Sequence, residues 1–173
     1  MKLPFFEWIL NFGKQPIKDS DMKIVDKTGR KGIDLIKKFE GFRSKPYLDA
    51  VGIPTIGYGA THYGNGVKVK MTDKPITEEQ GVELLKRMLK EYDNYVNRLL
   101  KVQVNQNQFD ALVSFTYNLG GGALSQSTLL KRVNVNPNDP DIRNQFMRWT
   151  KAGGKVLKGL ERRRKEESDL YFS

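Results

Sequence analysis

The sequence predicts an α+β fold that is mostly helical and contains a small antiparallel sheet. Two segments carry helix-capping spacing, Thr77-Glu78-Glu79-Gln80 and Asn105-x2-Gln108, and apolar residues follow each at helical intervals. Short alternating runs lie between residues 47 and 69, where Gly64-Asn65-Gly66 is typical of a hairpin turn. A chain of 173 residues is the length of one ordinary domain.

The first 27 residues are predicted to precede the main domain, which we expect to span residues 28–173. Phe5, Trp8, Ile9 and Phe12 would share one face of a short amphipathic helix, and residues 13–27 have the polar composition of a linker. Packing of this helix on the domain is the simplest interpretation. Alternatively, the helix could dock on a membrane surface or on a partner, or it could be a signal-anchor that releases later. A cleavable signal peptide is not expected, because Glu7 interrupts the apolar run.

The remaining elements follow from the same patterns. Helices are predicted at about 30–39, from the Thr77 cap to about 100, from the Asn105 cap through Phe115 to Gly120-Gly121-Gly122, and at about 126–133, 139–150 and 159–172. Strands are predicted around Tyr47, at 55–59 and at 67–69. The long helix after Thr77 is expected to link two parts of the molecule.

Composition excludes several classes of enzyme. The chain has no Cys, which excludes disulfides, thiol catalysis and Cys-ligated zinc, and its single His62 is too few for a zinc amidase. No Gly-x-Ser-x-Gly supports a serine esterase. A net charge of +10 favours anionic partners without choosing among them.

Glu40, Asp49 and Thr55 form the candidate catalytic cluster. Glycoside hydrolysis needs one protonated carboxyl group and one ionised carboxylate in different environments. Glu40 ends an apolar-periodic segment, which suits a general acid, whereas Asp49 precedes a Gly-Ile-Pro turn, where a carboxylate can hold water. Asp49 could also cap its own turn. The Thr55 hydroxyl could orient the same water, although a β-branched strand residue is the ordinary interpretation.

The spacing Glu-x8-Asp-x5-Thr, together with later blocks, resembles the tailed-phage lysozymes of glycoside hydrolase family 24. These blocks are Thr55-Ile-Gly-Tyr-Gly59, Asn105 to Phe115, Tyr117-Asn-Leu-Gly120 and Trp149 to Glu167. The resemblance implies a lysozyme-like two-lobed fold with a cleft between the lobes. It also implies inverting hydrolysis of the β-1,4 bond between N-acetylmuramic acid and N-acetylglucosamine, with Glu40 as acid, Asp49 and Thr55 on the water, and no metal or cofactor.

Four further residues are candidates for substrate binding. Tyr58, Gln108 and Asn118 combine an aromatic ring with amide groups, as carbohydrate sites do. Tying a helix end to the core is an equally good interpretation of Asn118. By the resemblance, Arg162 is expected to pair with the catalytic glutamate.

The expected partner is the glycan strand of peptidoglycan, and the chain is expected to be a monomer with no specific nucleic acid. The basic stretch from Lys151 to Lys165 is interpreted as a solvated helix face, or as a surface for anionic membrane or lipopolysaccharide. We expect the chain to be made in the host cytoplasm and released, with the help of a holin, to periplasmic peptidoglycan. A lytic transglycosylase and a non-catalytic cationic binding module remain alternatives.

Overall fold

The computed structural model describes residues 25–64 and 66–173. In chain order, its elements are α1 Arg30–Glu40, β1 Arg43–Leu48, β2 Pro54–Gly57, α2 Glu78–Leu99, α3 Gln106–Leu119, α4 Gly121–Gln126, α5 Thr128–Val135, α6 Ile142–Met147, β3 Lys151–Ala152, β4 Lys155–Val156 and α7 Lys158–Tyr171. The expected α+β, mostly helical architecture with small antiparallel sheets is confirmed. The predicted amphipathic helix at residues 5–12 lies outside the described residues.

Residues 25–29 attach the start of the chain to the helical part of the molecule. The side-chain amides of Asn97 and Gln106 donate to the carbonyls of Asp26 and Lys27, each at 2.9 Å. Val25 packs against the main core. These contacts begin before residue 28, so the last residues of the predicted linker belong to the packed domain.

The β1–β2 hairpin places Tyr47 opposite Thr55. The strand predicted at 55–59 ends at Gly57, because the chain turns at Gly57 and Gly59, where φ is +66° and +95°. The strand predicted at 67–69 is wrong: in the described part of this region, only an isolated bridge joins Lys68 to His62.

Helix α2 begins at the predicted capping box, in which the Thr77 hydroxyl accepts from the backbone of Gln80 and the Gln80 side chain accepts from the backbone of Thr77. Its residues serve two clusters. Leu84 packs with Ile56, Ala60 and Val69 in a smaller cluster. Leu85, Leu89 and Val96 enter the larger helical core. The helix therefore spans both lobes, as its length and pattern predicted.

Helix α3 is the buried centre of the larger lobe. Asn105 and Gln108 form its capping box, as predicted. The helix ends at Gly120, where φ is +84°. Gly121 and Gly122, predicted to continue the break, instead open α4, because a chain that has turned at Gly120 can start a new helix at once.

The C-terminal third packs around α3. Helix α7 makes the most extensive contacts with α3 and α6, and the exposed β3–β4 hairpin precedes it. The helix predicted at 139–150 is limited to Ile142–Met147, and β3 and β4 were not predicted. Among residues 25–64 and 66–173, no helix has both the length and the apolar character that crossing a membrane requires.

Candidate active site

Glu40 is the last residue of α1 and is held at the edge of the larger lobe. Gly41, with φ at +70°, ends the helix, and its N–H donates to the carbonyl of Lys37 at 3.0 Å. The Glu40 side chain is 25% exposed, and its Oε1 accepts from Nη1 of Arg163 at 2.7 Å. The carboxyl group is thus fixed in position and still accessible to solvent.

The arginine that pairs with Glu40 is Arg163, not Arg162 as expected. The buried face of α7 carries Arg163, Arg164, Glu167 and Tyr171, the spacing of one helix face. Arg162 falls outside that face. It is exposed, with its guanidinium 5.9 Å from the centre of the Phe39 ring. Helical geometry therefore selects the second arginine of the run.

Asp49 caps the turn that joins β1 to β2. Its Oδ1 accepts from the backbone N–H of Val51 at 2.9 Å and of Ile53 at 2.8 Å. Both hydrogen bonds use one oxygen, and no described residue donates to Oδ2. The turn role is therefore present, and it leaves one carboxylate oxygen for another partner.

Thr55 is buried in β2, with 3% of its surface exposed. Its hydroxyl donates to the carbonyl of Ile53 at 2.9 Å. Because the hydroxyl proton is committed to that carbonyl, the oxygen can act only as an acceptor toward a water molecule. Thr55 and Asp49 are joined through the same short turn, in which the N–H of Asp49 also donates to the Ile53 carbonyl at 3.0 Å.

Tyr47 of β1 is a further residue near the predicted catalytic cluster. Burial is the main cause that raises its pKa; the charges of Glu40 and Asp49 raise it further, and Arg43 opposes them. Tyr47 also faces Thr55 across the hairpin. Tyr47, which the sequence had placed only in a strand, is therefore a neighbour of Thr55 and is influenced by the charges of Glu40 and Asp49.

A cavity of about 620 Å³ lies between the smaller lobe and α2. Gly59, Thr61 and His62 line one side, and Met88 and Tyr92 line the other. The ring of Tyr92 lies 4.9 Å from that of Tyr117. Burial raises the pKa of both phenols; for Tyr92 the charges of Glu91 and then Glu40 raise it further, and for Tyr117 the charge of Glu40 does so. The charge of Glu40 therefore acts on a side chain of the cavity wall, although Glu40 itself does not line the cavity.

Comparison with known proteins assigns the chain to a family. The model of the family described as phage lysozyme matches residues 37–167. The chain belongs to the phage lysozyme family. Its match to that family includes Glu40, Asp49 and Thr55, and also Arg163 and Glu167 of the C-terminal helix.

Relatives in the phage lysozyme family include endolysins of very different length. The chain is 46% identical to the endolysin of Bacillus phage B103 over 144 residues, which is 82% of this chain but 52% of that protein, so it spans about half of that relative. It is 42% identical to the endolysin of Salmonella phage P22, again over 144 residues, covering 82% of this chain and 95% of that protein.

A solved structure supports the lysozyme-like fold. The endolysin from Escherichia coli O157:H7 phage FAHEc1 superposes with a TM-score of 0.76 at 39% identity, covering 88% of this chain and 95% of that one. The expected lysozyme-like fold is therefore confirmed.

The other predicted substrate contacts have partners within this chain of the phage lysozyme family. The Tyr58 hydroxyl donates to Oε1 of Glu78 at 2.8 Å, and its side chain is almost fully buried. Gln108 is used by its capping box and by the carbonyl of Pro137. Asn118 accepts from Nη2 of Arg164 at 2.8 Å and is half-buried. These contacts match the structural interpretation of Asn118 and give Tyr58 and Gln108 structural roles.

The sequence had not singled out Tyr47, Arg163 or Glu167 for the site. A signal for the two α7 residues was available, because positions 163, 164, 167 and 171 share a helix face. Across the described part of the chain, no three His, Asp or Glu side chains are arranged to hold a metal ion.

Proposed function

We propose that this chain hydrolyses the β-1,4 bond between N-acetylmuramic acid and N-acetylglucosamine in bacterial peptidoglycan. The observation that carries the proposal is that two carboxyl groups, both of which act on Tyr47, are held by different means. Glu40 is fixed by a guanidinium at the lobe edge, and Asp49 keeps one oxygen without a protein donor. Membership of the phage lysozyme family supports it.

In the proposed reaction, Glu40 donates its proton to the glycosidic oxygen as the bond to the anomeric carbon breaks. Asp49 accepts a proton from a water molecule, and that water attacks the anomeric carbon from the opposite face. The oxygen of Thr55, whose own proton goes to Ile53, accepts the water's second proton in a hydrogen bond and orients it. The products are two glycan ends, and the configuration is inverted. An inverting site is expected to separate its carboxyl groups by about 6.5–9.5 Å.

The glycan strand is proposed to lie along the cavity between the smaller lobe and α2. Its volume of about 620 Å³ is in the range of small-molecule sites, roughly 300–1,000 Å³. Tyr92 supplies an aromatic wall, and the side chains of Thr61 and His62 supply polar groups. Thr61 and His62 are thereby candidate sugar contacts, a role that the sequence had not assigned to them.

Mass spectrometry of sugars released from purified peptidoglycan tests this proposal. The wild-type protein is expected to produce reducing muramic acid ends, and Glu40→Gln, which keeps the shape but loses the acid, is expected to lower the rate by about 10²–10⁴-fold. Anhydro ends would indicate a lytic transglycosylase. Binding of peptidoglycan with no release by the wild type would indicate a cationic binding module.

A second partner is proposed for the β3–β4 hairpin and the start of α7. Here Lys151, Lys155, Lys158 and Arg162 are all exposed, and none forms an ion pair with any described residue. Val156 and Leu157, 50% and 45% exposed, lie among them. Basic and apolar side chains together suit an anionic lipid or lipopolysaccharide surface. Leakage of dye from anionic vesicles tests this: Val156→Ser with Leu157→Ser is expected to reduce leakage without changing sugar release.

We further propose that the chain is made in the cytoplasm of the infected host and acts on periplasmic peptidoglycan after holin-dependent release. Retention of lytic activity in cells that lack a functional holin would contradict this route.

A further inference from the structure

Glu167 is a fully buried carboxylate that the proposed reaction does not use. It is 0% exposed on α7. Its Oε1 accepts from Oγ of Ser114 at 2.8 Å, from Nε of Arg163 at 3.1 Å and from Nη2 of Arg164 at 3.0 Å. Its Oε2 lies 3.0 Å from Nε of Arg164, an ion pair that is not aligned as a hydrogen bond. A buried carboxylate with this many charged partners needs an explanation beyond packing.

Arg163 is shared between Glu167 and Glu40. Its Nη1 donates to Glu40 at 2.7 Å, its Nε to Glu167 at 3.1 Å, and its Nη2 to the carbonyl of Ser114 at 3.3 Å. The guanidinium is planar and rigid, so holding Nε and Nη2 determines where Nη1 points. Glu167 therefore positions the group that positions Glu40.

This sharing also affects protonation. An arginine beside a carboxyl group favours its ionised form, yet a general acid must remain protonated at working pH. Burial raises the pKa of Glu167, and the charges of Arg164 and Arg163 together with the hydrogen bond from Ser114 oppose that rise. In its ionised form, Glu167 places a second negative charge on the guanidinium of Arg163 and reduces its effect on Glu40. Arg164 acts in the opposite direction, because it neutralises Glu167. Burial lowers the pKa of Arg164 to about 10, so Arg164 is still charged near neutral pH.

Several other titratable groups surround Glu40 and Arg163, and among them Arg43, Asp49 and the exposed Arg162 beside Phe39 form no ion pair with a described residue. Tyr47 of β1, Tyr92 of α2 and Tyr117 of α3 face Glu40, and burial raises the pKa of each phenol. In the last turn of α1, Lys37 pairs with Glu78 and Lys38 with Glu166. Helix α6 presents Arg143 to α7, where it pairs with Asp169. Among the described residues, Arg163 is the cation that forms an ion pair with Glu40.

We propose that Glu167 is a positioning residue that acts on Glu40 through Arg163, and that removing the charge of Glu167 or that of Arg164 moves the pH dependence of the reaction in opposite directions. The proposal rests on the proposed role of Glu40 as the general acid. It assigns to Glu167 an effect on the reaction without contact with the substrate.

The test is the pH dependence of kcat/KM on purified peptidoglycan. Glu167→Gln leaves Arg163 facing Glu40 alone, so the alkaline limb is expected to move down by about one pH unit. Arg164→Met leaves the charge of Glu167 opposed by Arg163 alone, so the limb is expected to move up by about the same amount. A role in packing alone predicts no such opposite shifts.

Tyr171→Phe is the matched control. In the wild type, the Tyr171 hydroxyl donates to the carbonyl of Pro137 at 2.8 Å, on the same buried face of α7 and away from Glu40. Tyr171→Phe is expected to lower Tm and leave the pH profile unchanged. Circular dichroism establishes folding of every variant. If Glu167→Gln does not fold, the direction in which Arg164→Met moves the alkaline limb tests the role of Glu167 by itself. That variant keeps the Arg163 guanidinium beside the buried Glu167 carboxylate.

The two proposals fail in different ways. The role of Glu167 would be overturned if the pH profiles of folded Glu167→Gln or Arg164→Met were unchanged, or if both shifted in the same direction. An inactive Glu40→Gln would still support Glu40 as the general acid. Full activity of Glu40→Gln would instead overturn the proposed reaction itself.

Discussion

The two carboxyl groups of the candidate site are held by different means. Glu40 is held by a side chain from the far end of the sequence, Arg163, across a separation of 123 residues. Asp49 is held by backbone N–H groups of its own turn. The role of Asp49 in its turn and its proposed role in the reaction can therefore be tested separately.

Asp49→Asn keeps an oxygen that can accept from Val51 and Ile53, but it loses the carboxylate. We expect Tm to stay close to that of the wild type and the rate of sugar release to fall by about 10²–10⁴-fold, the typical contribution of a general base. Asp49→Ala is expected to have a lower Tm as well as a lower rate, because the turn loses its acceptor. Equal activity of Asp49→Asn and the wild type would exclude Asp49 as the base.

A second prediction concerns the buried Asp93 on α2, which accepts from the backbone N–H and hydroxyl of Thr28. Burial raises its pKa above 3.8; the charges of Asp110 and Asp26 raise it further, and the hydrogen bonds from Thr28 oppose this. A raised pKa in the folded state means that Asp93 contributes stability at low pH, which is lost as pH rises through the folded-state pKa.

Asp93→Asn has no charge to bury and keeps an acceptor for Thr28. Its Tm relative to the wild type is therefore expected to increase as pH rises from about 3 to 7, as measured by thermal unfolding across that range. Asp34→Asn, at an exposed position on α1, is the control and should lack this trend. If the Tm of Asp93→Asn relative to the wild type fell as pH rose, the raised pKa of Asp93 would be contradicted.

At the scale of elements, α1 and α3 approach closely at Gly32. A Cβ at this position would lie 2.6 Å from Cγ2 of Thr28 and 2.9 Å from Cβ and Cγ of Asp110. The N–H of Gly32 donates to Asp110 at 3.0 Å. The absence of a side chain thus permits the contact that holds the helix carrying Glu40.

Gly32→Ala is expected to destabilise the fold by about 1–3 kcal/mol through overpacking, and to lower activity by displacing α1. Gly122→Ala in α4 is the matched control, because no atom lies within 4 Å of the added Cβ. It should be neutral or stabilising by up to about 1 kcal/mol, from helix propensity alone. Urea unfolding of both variants measures the difference, and equal values would show that the α1–α3 contact can relax.

At the scale of the whole molecule, α2 joins the two lobes, and residues 25–29 close the larger lobe by contacts with α2 and α3. Thr28 and Gly29 donate to Asp93 and Asp110, both buried on different helices. Thr28 therefore supplies the donors to Asp93, whereas Gly29 adds to the donors that Asp110 has in Gly32 and Gln106.

Two truncations test this closure. A chain that begins at residue 25 is expected to keep the Tm and the sugar-release rate of the full chain. A chain that begins at residue 30 leaves the buried Asp93 without its Thr28 donors, at about 1–3 kcal/mol, removes one of the donors to Asp110, and is expected to unfold at lower temperature. A lower Tm for the chain starting at residue 25 would show that residues 1–24 contribute to stability.

Several features of this protein follow from local sequence, because the forces behind them act over a few residues. The capping boxes at Thr77 and Asn105, the end of α3 at Gly120 and the amphipathic pattern of α2 are of this kind. Glu40, Asp49 and Thr55 lie within one short segment, so their spacing alone made them candidates. The weak local signals failed, as at residues 67–69, where alternation did not produce a strand.

Tertiary structure decided what depends on contacts between distant parts of the chain. The sequence contains three consecutive arginines, and only the packing of α7 against α3 and α1 selects Arg163 for Glu40. The same packing buries Glu167 against Ser114. Tyr58 and Gln108 carry polar groups suited to sugars, yet burial directs those groups to Glu78 and Pro137. Burial is a property of the assembled molecule, and it decides which polar side chains remain available for chemistry.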